Sequence, residues 1–319
     1  MSRLLLLCAT IPLALLALSV SPAAARTSAS APISVYCGLA APDYTALSRL
    51  TTTSTFSRGD DVTREPSGSN TPDEVPAFAK HKGGPGFGAT IDVYFHIVTD
   101  GQIGAVSDAD VRRQIQVVNM GFGGFEGGVD TGFRFQLAGI DRTNSAAWFY
   151  AGPGSSDERA MKKALHEGDA SDANVYSTTA GAYLGWAYFP SEYKTHPWID
   201  GIVIDWASMY KTSTQYAGRY DLGKTATHEL GHWVGLYHTF QGGCNNFGDY
   251  VDDTPPMLVP TSGCPEGKDT CSEPGLDPIH NYMDYSYDSC YDQFTPGQAA
   301  RAQDQWLFFR ANGGQTAGN

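Results

Sequence analysis

The sequence predicts an α/β fold in two unlike parts, preceded by a leader with little core of its own. Three observations carry this. From Ala89 to Val234, segments of strand period alternate with segments of helix period. From Phe240 to Tyr291, Gly, Pro and Asp crowd together with four of the six cysteines, and no period survives. Before residue 80, runs such as Thr51-Thr52-Thr53-Ser54-Thr55 and Pro66-Ser67-Gly68-Ser69-Asn70 offer too little apolar surface to bury.

Order begins at Ala89. Ile91, Val93, Phe95 and Ile97 alternate with Asp92, Tyr94 and His96, the signature of a strand. Ser107-Asp108-Ala109-Asp110 has the form of a helix-opening capping box, and Val111, Ile115 and Val118 mark one face behind it. Phe133, Phe135 and Leu137 alternate again. Ser155-Ser156-Asp157-Glu158 opens a short helix that ends near Gly168. Asn174–Thr178, Tyr183–Phe189 and Ile202–Ile204 are short strands, the last in an apolar run typical of a buried one. A helix is expected over Leu222–Val234. Thr295-Pro296-Gly297-Gln298 opens the last helix, with Thr as N-cap, Pro at the first position and Gln three residues after the cap.

The helix over Leu222–Val234 carries the chemistry. His228 and His232 stand four apart, so they share one helix face and can address one metal ion. Glu229 lies beside the first histidine, placed to reach a water on that metal. Gly235 suits the left-handed conformation that ends a helix, and the chain can then return His238 as a third ligand. Three nitrogen donors with one open position are the catalytic pattern for zinc. A bare pair of histidines four apart occurs by chance on helices; the version extended to His238 is far more specific. Gly231 lies inside this helix, where glycine costs about 1 kcal/mol relative to alanine and so calls for a packing reason.

Arg3, the apolar stretch Leu4–Val20 and the small residues Ala23-Ala24-Ala25 form a secretion signal over residues 1–25. A membrane anchor would need about 20 unbroken apolar residues, and Pro12 interrupts this stretch. Residues 26–80 are then a propeptide and 81–319 the working domain, exported and free of the membrane. The formal charge of −13 and the absence of a basic run argue against nucleic acid or anionic membrane as partners. Cys8 leaves with the signal. Cys244, Cys264, Cys271 and Cys290 suit two disulfides in an oxidising compartment, with three pairings open. Cys37 is the odd one out. A thiolate is a strong zinc ligand, so Cys37 is a candidate switch that fills the open zinc position until the leader is cut.

Residues 89 to 311 resemble the pappalysin family of metzincin zinc endopeptidases, in its secreted fungal and bacterial members. The extended histidine motif and Asn281-Tyr282-Met283-Asp284-Tyr285 mark the metzincin clan, and the stretches that carry the closer resemblance include His232–Phe240, Gly248–Pro255, Asn281–Tyr285 and Phe294–Gln298, with echoes at Gly185-Trp186-Ala187 and Asp200–Val203. It implies a metzincin-type catalytic domain: a twisted, mixed and mostly parallel sheet with long helices, set above an irregular disulfide-stapled lower subdomain. It also implies an edge strand that takes protein or peptide substrate as an extended strand; the chain is expected to act as a monomer. Met283 becomes the floor of the metal site and Tyr285 a donor to the oxyanion. The disulfides become Cys244–Cys271 and Cys264–Cys290. A calcium ion is implied near Asp249, Asp252, Asp253 and Thr254, a loop rich in the oxygen donors calcium favours. The resulting expectation is a secreted zinc endopeptidase with Glu229 as general base. The competing readings are an inactive exported zinc-binding module and an exopeptidase on the same scaffold. Asp288, after the Met-turn, is expected to favour a basic residue after the cut bond.

Overall fold

Strand β1, Ala89–Thr99, is the spine of the sheet in the computed structural model. The structure describes residues 80, 82–180, 183–244 and 248–311; the signal, Cys37 and the leader up to residue 79 lie outside them. Contacts divide the chain into Met1–Ser34, which is outside the described residues, and Val35–Asn319, which holds everything below.

Five strands join in the order β2-β1-β3-β5-β4. They are β2 Phe133–Asn144, β3 Ala173–Thr178, β4 Gly185–Ala187 and β5 Ile202–Asp205. β1 pairs in parallel with β2 and β3, and β3 with β5. Only β4 is antiparallel, and it forms one edge of the sheet. Among the described residues five α-helices accompany them: α1 Asp108–Phe122, α2 Ala146–Phe149, α3 Ser156–Leu165, α4 Lys224–Trp233 and α5 Pro296–Phe309. The expected capping boxes at Ser107/Asp110 and Thr295/Gln298 are both formed. The expected strand over Tyr183–Phe189 shortens to the three residues of β4, and the expected metal helix to Lys224–Trp233. The short helix α2 has no sequence period long enough to announce it.

Both faces of the sheet are covered, as parallel strands require. Ile91, Val93, Phe95 and Ile97 of β1 meet Val111, Ile115, Val118 and Phe122 of α1 and Leu230 and Trp233 of α4 in the larger core. The opposite face buries Tyr176, Trp186 and Val203 with Phe149 of α2 and Met161 of α3. α1 and α4 approach closely at Gly121, where a Cβ would stand 2.9 Å from the Thr227 methyl.

Between Trp233 and Pro296 the described residues form no helix and no strand, apart from one bridge between Asn281 and Gln293. Two disulfides staple this part, Cys244–Cys271 and Cys264–Cys290, the pairings the resemblance implied. Buried carboxylates do the rest. Asp277 accepts from the Thr270 amide and hydroxyl, and Asp284 from the Thr261 amide.

Candidate metal centre

Helix α4 brings His228 and His232 onto one face, both buried. Gly235 takes φ +100° and turns the chain, and the bend is closed by Gly235 N–H donating to His232 O at 2.8 Å and Leu236 N–H to Gly231 O at 2.9 Å. A side chain at Gly235 would press on Gln305 of α5. His238 then comes back against the helix. Its Nε2 lies 3.0 Å from His232 Nε2, which is also 3.0 Å from His228 Nε2.

The protonation of these rings decides what the cluster can hold. His228 Nδ1 stands 2.6 Å from Tyr282 O, and His232 Nδ1 stands 2.7 Å from Leu236 O. A carbonyl oxygen only accepts, so each Nδ1 carries the proton and each Nε2 presents a bare lone pair. Two lone pairs facing each other at 3.0 Å repel unless a cation lies between them. Burial pushes the His228 imidazole down to about 3, with the charge of His238 adding to it; burial pushes His232 well down too, with His238 and His228 adding to it. Neutral imidazoles are the form a metal binds. Tetrahedral zinc with nitrogens at about 2.0–2.1 Å needs them roughly 3.3 Å apart, close to what is seen. The donor set therefore fits zinc.

The Met-turn, Asn281–Tyr285, holds the site from below. Tyr282 O orients His228, and Met283 O accepts from the Thr239 amide, next to His238, at 3.1 Å. The Met283 sulfur fills the space a side chain on Gly231 would need, which is the packing reason for that glycine. The turn itself is fixed by a reciprocal amide pair: Asn281 Nδ2 donates to Gln298 Oε1 at 2.7 Å, and Gln298 Nε2 to Asn281 Oδ1 at 2.9 Å. Gln298 thus caps α5 and braces the Met-turn at once. The Tyr285 ring lies 4.9 Å from the His238 ring and 5.8 Å from that of His228.

Glu229 is fully buried on α4. It lies against edge strand β4, where a Cβ on Gly185 would come within 2.9 Å of its Cγ and Oε1. That contact could not be read from the sequence. Nor could the cap of α4. Gly223 offers the helix no side chain, and the buried Asp288 accepts instead from the Leu222 and Lys224 amides at 2.8 and 3.4 Å. Burial raises Asp288 to about 7. A partner 64 residues away leaves no local signal.

The residues expected to hold calcium are divided. Asp249 is buried, both its oxygens accept from the Thr254 hydroxyl at 2.7 and 2.9 Å, and that hydroxyl also reaches Val251 O at 2.9 Å. Desolvation raises Asp249 to about 7. Asp253 instead turns to the start of α5, accepting from Thr295 Oγ1 at 2.6 Å and the Gly297 amide at 2.7 Å, and Asp252 is exposed. Among the described residues the three carboxylates do not gather at one point.

Comparison with known proteins agrees with this geometry. Residues 172–306 match the family described as pregnancy-associated plasma protein-A. An extracellular metalloprotease of Pyricularia oryzae is 48% identical over 229 residues, 70% of this chain and 76% of that protein. One from Arthroderma benhamiae is 44% identical over 229 residues, 70% and 74%. Among solved structures, mirolysin in complex with a small compound superposes with a TM-score of 0.62 at 29% identity, covering 71% of this chain and 94% of that one. Tannerella forsythia mature mirolysin with a cleaved peptide gives 0.60 at 30% identity, over 72% and 94%. With its histidine cluster, its Met-turn and these likenesses, the chain belongs to the pappalysin family and is a metalloendopeptidase of metzincin type.

Proposed function

We propose that the chain is a secreted zinc endopeptidase, made as a latent precursor, with His228, His232 and His238 as the zinc ligands and Glu229 as general base. The observation that carries it is the convergence of three buried Nε2 atoms, two of them forced into the bare form by their backbone partners. Zinc, when bound, supplies Lewis-acid polarisation of the scissile carbonyl and acidifies water from 15.7 toward about 7.

The protein's own groups do the remainder. Glu229, adjacent to His228 and walled in by Gly185, accepts the proton of the attacking water and returns it to the departing amine. Tyr285 donates its hydroxyl to the negative charge that develops on the attacked carbonyl oxygen. β4, which among the described residues pairs as a strand with β5 only, offers its other edge to an extended peptide, which sets the cut bond beside Glu229. Casein digestion by the trimmed protein, with about one zinc per chain by metal analysis, tests the reading. A metal-free protein of full activity would refute it.

The secretion signal in residues 1–25 is supported by the extracellular relatives. Cys37 is the proposed latch on the zinc in the precursor; Cys37→Ala should shorten the lag before activity, and an unchanged lag counts against it. For calcium, the support narrows to Asp249, Thr254 and Val251 O, all oxygen donors. Calcium binds the ionised carboxylate, and Asp249 titrates near 7. The rise in Tm with added calcium should therefore grow between pH 6 and pH 8, and no rise at either pH removes the site. The chain is taken to act as a monomer, which gel filtration would check.

A further inference from the structure

On the far face of the sheet from the metal, one fully buried carboxylate has every lone pair in use. Glu158 of α3 accepts from Trp186 Nε1 at 2.7 Å on one oxygen, and from Tyr188 Oη at 3.1 Å and the Gly154 amide at 2.7 Å on the other. Lys162, one turn along the same helix and equally buried, stands 3.3 Å from Glu158 Oε1. It donates to Ile199 O at 2.8 Å and lies 4.2 Å over the Tyr188 ring. A buried ion pair is a poor way to gain stability, since desolvation cancels most of the attraction. Its partners point to another use.

Trp186 and Tyr188 belong to edge strand β4 and the residue after it. Successive side chains of a strand face opposite ways. Trp186 and Tyr188 therefore enter the smaller core with Glu158, while Ala187 enters the larger one with α4 and Gly185 abuts Glu229. β4 is three residues long and, among the described residues, pairs as a strand with β5 only, so this ladder gives little hold on its position. Glu158 supplies that hold on one side, and Lys162 ties the same unit to the turn that precedes β5.

We propose that Glu158 is a positioning residue: through Trp186 and Tyr188 it fixes β4, and so fixes the edge on which the peptide lies and the wall against Glu229. The proposal rests on the reading of the chain as a peptidase that binds its substrate as an extended strand. Lys162 neutralises the carboxylate that the task requires.

The test compares a long internally quenched peptide, able to run along β4, with a short blocked peptide carrying only the residues flanking the cut bond. Glu158→Gln loses the second acceptor oxygen and leaves Lys162 without its adjacent counter-ion. Glu158→Gln/Lys162→Met removes both charges together, and Trp186→Phe removes one grip with the pair intact, so the test survives if the first variant does not fold. The expected result is a rise in KM for the long peptide of roughly tenfold. The short peptide keeps its KM, and zinc content stays at the wild-type value. A purely structural role would lower the active fraction and scale both substrates alike. Equal losses on the two peptides, or none in folded variants, overturn the proposal. A wild-type protein that cleaves neither peptide removes the peptidase reading itself and this proposal with it.

Discussion

The two parts of the domain that meet at the histidine cluster are built on different principles. The sheet with α1 and α4 is held by a contiguous apolar core in which Phe95, Phe122, Phe133 and Trp233 are almost wholly buried. The stretch from Tyr237 to Phe294 joins that lattice through Tyr282, Met283 and Phe294 but builds no comparable one of its own. Two disulfides, a few buried carboxylates and the amide pair of Asn281 with Gln298 fix it instead. The first part supplies His228, His232 and Glu229; the second supplies His238, Met283 and Tyr285. Glu229 thus sits on a helix packed into the apolar core, while His238, Met283 and Tyr285 sit on a covalently stapled stretch. The halves share contacts, since Phe122 packs on Phe294 and Tyr282 O holds His228, yet each has its own main support, and the chemistry should report which support failed.

The sharpest test leaves both halves intact. Glu229→Gln should lower kcat by about 10²–10⁴-fold with zinc content and Tm unchanged; a variant of near wild-type rate would take Glu229 out of the chemistry. Phe122→Ala strikes the first half. It opens a cavity among Phe133, Phe135 and Phe294 and should cost about 3–5 kcal/mol in denaturant unfolding, with both disulfides still formed.

Replacing Cys264 and Cys290 by Ser strikes the second half. Closing a loop of that size stabilises by about 3–4 kcal/mol in the chain-entropy account. The expected outcome is early proteolytic nicking between Met257 and Cys290 while the far-ultraviolet signal of the sheet persists. Simultaneous loss of both would show that the halves fold as one unit.

Tyr285→Phe removes one hydroxyl from the stapled half. A fall in kcat of about 10–10²-fold with KM unchanged would assign it to oxyanion stabilisation, and an effect on KM alone would not. The smallest expected effect concerns Asp288, which joins the halves at the start of α4. Burial raises its carboxyl to about 7, so it is charged above that pH and neutral below. If it selects a basic residue after the cut bond, that preference should weaken as pH falls through about 7, and Asp288→Asn should flatten it. The same shift acts on stability in the opposite direction. A carboxylate whose folded value is raised favours the fold most below its unfolded value near 4, and that contribution is lost as pH rises through about 7. Asp288→Asn should therefore make Tm less sensitive to pH between those limits, and an unaltered pH dependence would count against the shift.

The sequence by itself determined the three histidines that gather at one point, the turn at Gly235, the capping boxes at Ser107 and Thr295 and the strands of the buried core. Each is written in spacings of a few residues, where helix and strand periods and capping geometry act directly. The resemblance added the disulfide pairing, which spacing left open among three. Only the tertiary structure decided that Asp288 caps α4, that Gly185 walls in Glu229, that the Met283 sulfur fills the space beside Gly231, and that Asp253 serves α5 while Asp249 binds Thr254. Most of these pairs are separated by tens of residues, and a buried carboxylate chooses among many reachable donors according to where the packed chain leaves them. Local pattern carries no record of that choice; burial imposes it, because a polar group removed from water must find a partner wherever the fold provides one.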